Sequence, residues 1–249
     1  MILNGELIME YPQAVPYIYQ NIHTLNHKAR FAAQHIAYLN HSAEELFGVT
    51  LPLSVQQLEA QVAQLLAANR LTRNATIKVE LALDASGDYT LRCGEGTIYA
   101  GYAMRSLRPT AVCVPANMPL SPHPTSATIA TRLFADAIAR TKGYHTAIIA
   151  ERDGGIAIEP CAPLFIIKEY TMFSAEGYRS VEFDLTEKAA MLAGLQIEHR
   201  RLTIADLRDA DEVIVVDWQG VSAISEIANR PYMDILAHNI AKGLERIAK

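Results

Sequence analysis

The sequence predicts a mixed fold of α+β or α/β type in two domains, with edges at 1–118 and 122–249. Three observations lead there. Helical periodicity near the N-terminus gives way to alternating, turn-punctuated segments between Asn74 and Pro115. Strands and helices then alternate to the C-terminus. Between these parts lies a segment, 115–126, with four prolines and little that can enter a hydrogen-bonded ladder, which reads as the interdomain linker.

Each element has a local reason. "MILNGELI" turns at Gly5 between two short extended pieces. "ARFAAQHIAYLNHSAEELFG" carries Ala33, Ile36, Ala37, Leu39, Ala43, Leu46 and Phe47 mostly on one side and stops at Gly48. A second helix starts at the N-cap Ser54 and repeats Val55, Leu58, Val62, Leu65 and Leu66. "NATIKVELALD", "YTLRC", "TIYAGYAM" and "TAVCVP" read as an antiparallel meander. After the linker come a helix over about Ser126 to Lys142, the strand "HTAIIAER", and the strands "IAIEP" and "APLFIIKEY". A helix "LTEKAAMLAGL" capped by Thr186 or Asp184 follows, then the strand "QIEHRRL", a short helix at "TIADLRDA", the strand "DEVIVVD" and a closing helix.

Composition excludes several functions. Half of the 249 residues are hydrophobic and 20% are charged, enough to bury a substantial core. The net charge of −5 comes without a Lys/Arg block, so no field collects a nucleic-acid backbone. No uninterrupted apolar run reaches the roughly 18 residues of a membrane span, and the N-terminal stretch, broken by Gly5, Glu6, Glu10 and prolines, is not a signal peptide. Cys93, Cys113 and Cys161 are too few and too far apart for a disulfide framework or zinc site, and read as buried thiols of a cytoplasmic protein. His23, His27, His35 and His41 cluster in sequence, but His35 and His41 miss the three- or four-residue spacing of helical ligands, so no metal is expected. "CGEGTIYAG" lacks the third glycine and the strand–turn–helix context of a dinucleotide site, and neither G-x-S-x-G nor a P-loop occurs.

Four stretches agree in order and spacing with one family. They are "LNGEL" (Leu3–Leu7), "HIAYLNHSAEELFG" (His35–Gly48), "TKGYHTAIIAERDGGIAIEPCAPLF" (Thr141–Phe165) and "ADEVIVVDWQGV" (Ala210–Val221). Through them the chain resembles the fold-type IV pyridoxal phosphate (PLP) enzymes: branched-chain aminotransferases, D-amino acid aminotransferases and aminodeoxychorismate lyases. The resemblance implies a two-domain fold-type IV architecture, a homodimer and a pocket near the domain interface.

It also implies site residues. The Schiff-base lysine of the family, about five helical turns' worth of sequence before Lys142–Gly143, falls on Thr125 or a neighbour. The phosphate arginine falls on Tyr38. The phosphate-cradling turn at a helix N-terminus falls on "DLTE", where Thr186 survives between Asp184 and Glu187. A second phosphate threonine is replaced by Trp218 or Asp217, and Glu159 stands where the family pairs a carboxylate with the pyridine nitrogen. PLP chemistry requires an amine that holds the cofactor as an imine, and threonine has none.

The expectation is therefore a divergent class IV aminotransferase-like protein without covalent PLP chemistry, keeping a small-molecule pocket around Glu159, Tyr38, Thr125 and Thr186. The competing expectation is an active PLP aminotransferase or lyase that uses another lysine, with Lys168 following Glu159 as the candidate catalytic residue. Its alternative role is an edge-strand lysine with its amine in water. A third expectation is a non-catalytic, dimeric interaction protein whose old pocket is filled by side chains.

Overall fold

The computed structural model describes residues 1–8, 15–71 and 75–248. Glu10, Asn74 and Lys249, which the sequence reading includes, lie outside them. The chain forms two compact units, Met1–Gly101 with His123–Ser126, and Tyr102–Pro122 with Ala127–Lys249.

In the first unit, β1 (Ile2–Leu3) and β2 (Glu6–Leu7) turn at Gly5, whose φ of 92° suits glycine. β3 (Tyr17–Leu25), β4 (Lys28–Ala29), α1 (Ala32–Phe47), α2 (Val55–Ala68), β5 (Ile77–Asp84) and β6 (Tyr89–Gly96) follow. The sheet has the order β2-β1-β6-β5-β3-β4. β3 has no counterpart in the sequence reading. Gln20, His23 and Thr24 are buried along with Ile18, Tyr19 and Ile22, so the alternation that marks a half-exposed strand is missing.

Both predicted helices form. Gly48, at φ 68°, turns its N–H back to the Ala43 and Glu44 carbonyls and ends α1. Ser54 and Gln57 close a reciprocal capping box at α2. Leu39 and Ala43 of α1 and Leu58, Val62, Leu65 and Leu66 of α2 bury against Ile18, Ile22, Val79, Leu81 and Leu91 of the sheet. The segment 123–126 is strapped onto this unit. Tyr19 donates its N–H to the Pro124 carbonyl at 3.0 Å, Thr125 pairs with Ile18, and the His123 ring lies between Ser42 Oγ at 3.1 Å and Glu45 Oε2 at 2.9 Å.

The second unit contains β7 (Ala103–Met104), β8 (Thr110–Pro115), α3 (Ser126–Thr141), β9 (Thr146–Ala150), β10 (Leu164–Lys168), β11 (Thr171–Ala175), α4 (Val181–Leu192), β12 (Gln196–Arg200), α5 (Ile204–Asp209), β13 (Glu212–Asp217), β14 (Gly220–Ala223), β15 (Glu226–Ile227), β16 (Arg230–Pro231) and α6 (Ile235–Ile247). Its sheets run β12-β11-β10-β13-β14-β7 and β16-β15-β8-β9. Buried Glu212 of β13 accepts the Leu236 and Ala237 N–H groups, each at 2.8 Å, and so caps α6 from outside that helix.

Two expectations are corrected here. The meander is confined to the β5–β6 hairpin: β7 keeps only two residues of "TIYAGYAM" and pairs in parallel with β14, and β8 pairs in parallel with β9 and β15. Parallel partners come from far along the chain and leave no local sequence signal. "IAIEP" contributes isolated bridges at Ile156 and Glu159 rather than a strand.

Candidate functional site

In the first unit, Tyr38 is half-buried on α1 and Thr125 is 4% exposed in the strap along β3. His23, His35 and His123 are buried in the same unit. His35 of α1 meets Gln20 Oε1 through Nδ1 at 3.1 Å, and burial, helped by the charge of His23, pushes its pKa down to about 3. His35 is therefore a neutral imidazole at physiological pH. His27 meets the Leu71 carbonyl at 2.8 Å, and His41 lies exposed beside Glu45. Among the described residues no group of three or more His, Cys, Asp or Glu is placed to hold a metal ion.

The second unit holds the other sequence-derived residues. Glu159 follows the β9 turn and faces Arg132 of α3, Nε to Oε2 at 3.6 Å. Arg132 is itself fixed by Asp136 at 3.2 Å and by Thr146 Oγ1 at 2.6 Å. Asp136 in turn accepts from the Thr146 hydroxyl and the Ala147 N–H, both at 2.9 Å. The Glu159 carboxylate thus has a cationic partner supplied by its own unit. Lys168, at the end of β10, is exposed. It occupies the hairpin register opposite Thr171.

The helix N-terminus expected at "DLTE" lies one turn earlier. Ser180, in an extended conformation, caps α4 by accepting the Phe183 N–H at 3.1 Å. This corrects the assignment of Thr186 or Asp184 as cap. Thr186 is fully buried in the helix body and donates its hydroxyl to the Glu182 carbonyl at 2.6 Å. Glu187 accepts from Ser174 at 2.8 Å and lies 2.6 Å from His199 Nε2. The first turn of α4 is instead Val181, Glu182 and Phe183, all buried. A sequence signal for this start existed in Ser180 followed by two early acids, Glu182 and Asp184.

Glu182 is the candidate-site residue that the sequence reading did not single out. It is 1% exposed, and its Oε1 is sealed from solvent without a well-formed hydrogen bond. The buried Tyr102 hydroxyl interacts with this carboxyl, and the Asp217 carboxylate is near enough to act on both. Burial pushes the Glu182 pKa up to about 8, with its own backbone N–H opposing and Asp217 reinforcing the rise. At neutral pH the group is mainly a carboxylic acid. The Tyr102 phenol is pushed well above its usual value, first by burial and then by these two acids.

The turn from β13 to β14 completes this end of the unit. Asp217 pairs with Gly220, leaving Trp218 and Gln219 as a two-residue turn. Asp217 Oδ1 accepts the Gln219 N–H at 2.7 Å, and Trp218 is 6% exposed. Of the two alternatives drawn for the second phosphate threonine, both sit at this turn.

The sequence profile of the family described as amino-transferase class IV matches residues 18–227. No curated protein matches the chain by sequence. Among solved structures, a branched-chain aminotransferase from the archaeon Thermoproteus uzoniensis, with norvaline, superposes with a TM-score of 0.79 at 18% identity, covering 99% of this chain and 93% of that one. An aminotransferase from Brucella abortus bound to the cofactor PLP gives 0.73 at 17% identity, over 93% and 89%. The Escherichia coli branched-chain aminotransferase gives 0.70 at 14% identity, over 90% and 83%. These likenesses show the fold-type IV fold.

Proposed function

Because the chain belongs to the class IV aminotransferase family, we propose that it is a divergent member without covalent PLP chemistry, which binds a small molecule non-covalently. The observation that carries this reading is Thr125, at the position where the resemblance puts the family's lysine. No lysine occurs between Lys78 and Lys142, so no nearby residue in the sequence supplies the amine. A threonine hydroxyl forms no imine with an aldehyde cofactor and cannot shuttle a proton as a lysine amine does.

The residues present do not fit PLP elsewhere either. Tyr38 offers no guanidinium fork for a phosphate. The first turn of α4 presents a buried carboxyl whose Oε1 has no well-formed partner. Glu159 has Arg132 beside it, which lessens its need for a protonated pyridine. Lys168 is exposed at a strand end, with its amine toward water.

Leu133, Phe134 and Ile138 are exposed together on α3, an apolar strip suited to a homodimer contact, which light scattering on the purified protein would detect. Free Cys93, Cys113 and Cys161 suit a reducing compartment such as the cytoplasm.

The central test is spectroscopic. The purified protein is mixed with PLP, its visible absorbance recorded, and the mixture reduced with borohydride for mass analysis. The expected result is no imine band and no adduct concentrated on one lysine. A stoichiometric adduct on a single lysine, Lys168 included, would refute the proposal and identify the catalytic amine.

A further inference from the structure

The following rests on the reading that PLP is not held covalently, and concerns what the N-terminal end of α4 accepts. We propose that Glu182 closes this end of the second unit to phosphate, so that the protein's ligand is a non-phosphorylated small molecule. A helix N-terminus takes up an anion when its N–H groups point at the ligand and its dipole is unopposed. Neither condition holds here. The Phe183 N–H is held by Ser180 Oγ, the Glu182 N–H interacts with its own carboxyl, and the Gln219 N–H is held by Asp217 Oδ1.

The electrostatics point the same way. A phosphate brought to this terminus would meet the Glu182 carboxyl, which is buried, and the field of the Asp217 carboxylate that already acts on Glu182 and Tyr102. The like charges are those of Asp217 and the phosphate, which repel strongly in a desolvated place, and Glu182, mainly protonated, supplies no counter-charge. Arg179, one residue before the cap, is directed elsewhere, with its guanidinium 3.7 Å from Glu187 and 5.2 Å from the centre of the Phe183 ring. The protonated carboxyl and the Tyr102 phenol form a neutral polar pair in the interior, where an ionised group would need a counter-charge.

Pyridoxine and pyridoxine 5′-phosphate are the probes, because neither carries an aldehyde and binding cannot depend on a lysine. Titration calorimetry compares the full-length protein with Glu182→Ser, whose folding is checked by circular dichroism. The wild type is expected to show no preference for the phosphate ester, including no binding of either compound, and Glu182→Ser to gain a preference of about tenfold or more. A tenfold wild-type preference for the ester would overturn the assignment, as would a folded Glu182→Ser protein with none.

Should Glu182→Ser not fold, the wild type decides. Its thermal midpoint is expected to be the same in inorganic phosphate and in chloride of equal ionic strength, and a saturable rise in phosphate would overturn the assignment. The two readings fail separately. A borohydride-trapped lysine adduct without phosphate preference refutes the Thr125 reading alone, and phosphate preference without an adduct refutes the Glu182 assignment alone.

Discussion

At Glu182 a single side chain couples local helix chemistry to the state of a whole unit. An acid in the first turn of a helix is ordinarily favoured as an anion by the dipole, but full burial outweighs that effect and the folded-state pKa stands at about 8 against an ordinary 4.5. The sign follows from linkage. The folded protein holds a proton that the unfolded chain releases, so the contribution to stability is complete below about pH 4.5 and is lost as pH rises through about 8. Glu182→Gln removes the titration. Unfolding free energies from urea titrations near pH 5 and near pH 9 are expected to differ by on the order of 1–3 kcal/mol less in this variant than in the wild type. Equal slopes in the two proteins would show that the carboxyl does not titrate as described.

Among the elements, β14 shows how a neighbouring strand dictates a residue. Gly220 opens the strand at φ 119°, and a Cβ there would collide with the Ala103 carbonyl of β7, its parallel partner. Gly143, after α3, has a φ of 83° but open space around it. The two separate backbone strain from crowding. Gly143→Ala is expected to cost about 1 kcal/mol, and Gly220→Ala at least about 2 kcal/mol and to detach β7 from the sheet. Hydrogen exchange at Arg105, whose N–H bonds the Val221 carbonyl, reports that detachment. Equal costs for both substitutions would contradict the crowding argument.

For the molecule as a whole, the two units respond to pH in opposite directions. His35 is buried neutral in the first unit, with its pKa held at about 3 against an ordinary 6.5. Stability from this residue is complete above about pH 6.5 and is lost as pH falls toward about 3, because the unfolded chain then binds the proton first. The second unit carries the alkaline limb through Glu182. Hydrogen exchange resolved by peptide is expected to accelerate first in β3 and α1 on acidification and first in α4 above about pH 8. His35→Gln should flatten the acid limb only. Simultaneous opening of both units at acid pH would contradict it.

Much of this protein was legible in its residues because the reasons are local. The Ser54–Gln57 capping box, the Gly48 stop and the β5–β6 hairpin each depend on neighbours within a few positions. That residue 125 is a threonine and that no lysine lies between Lys78 and Lys142 is likewise read from the chain. What required tertiary structure was every feature whose partner is distant. β3 was hidden because burial on both faces erases alternation. β8 was assigned to the wrong sheet because β9 and β15, its parallel partners, lie across a helix or further along the chain. Glu182 carries no local signal of its burial, and Tyr102 and Asp217 reach it only in the folded unit. Hydrophobic period and capping chemistry act over a turn or two of chain, whereas the dielectric around a carboxyl is decided by packing, and packing here joins segments roughly a hundred residues apart.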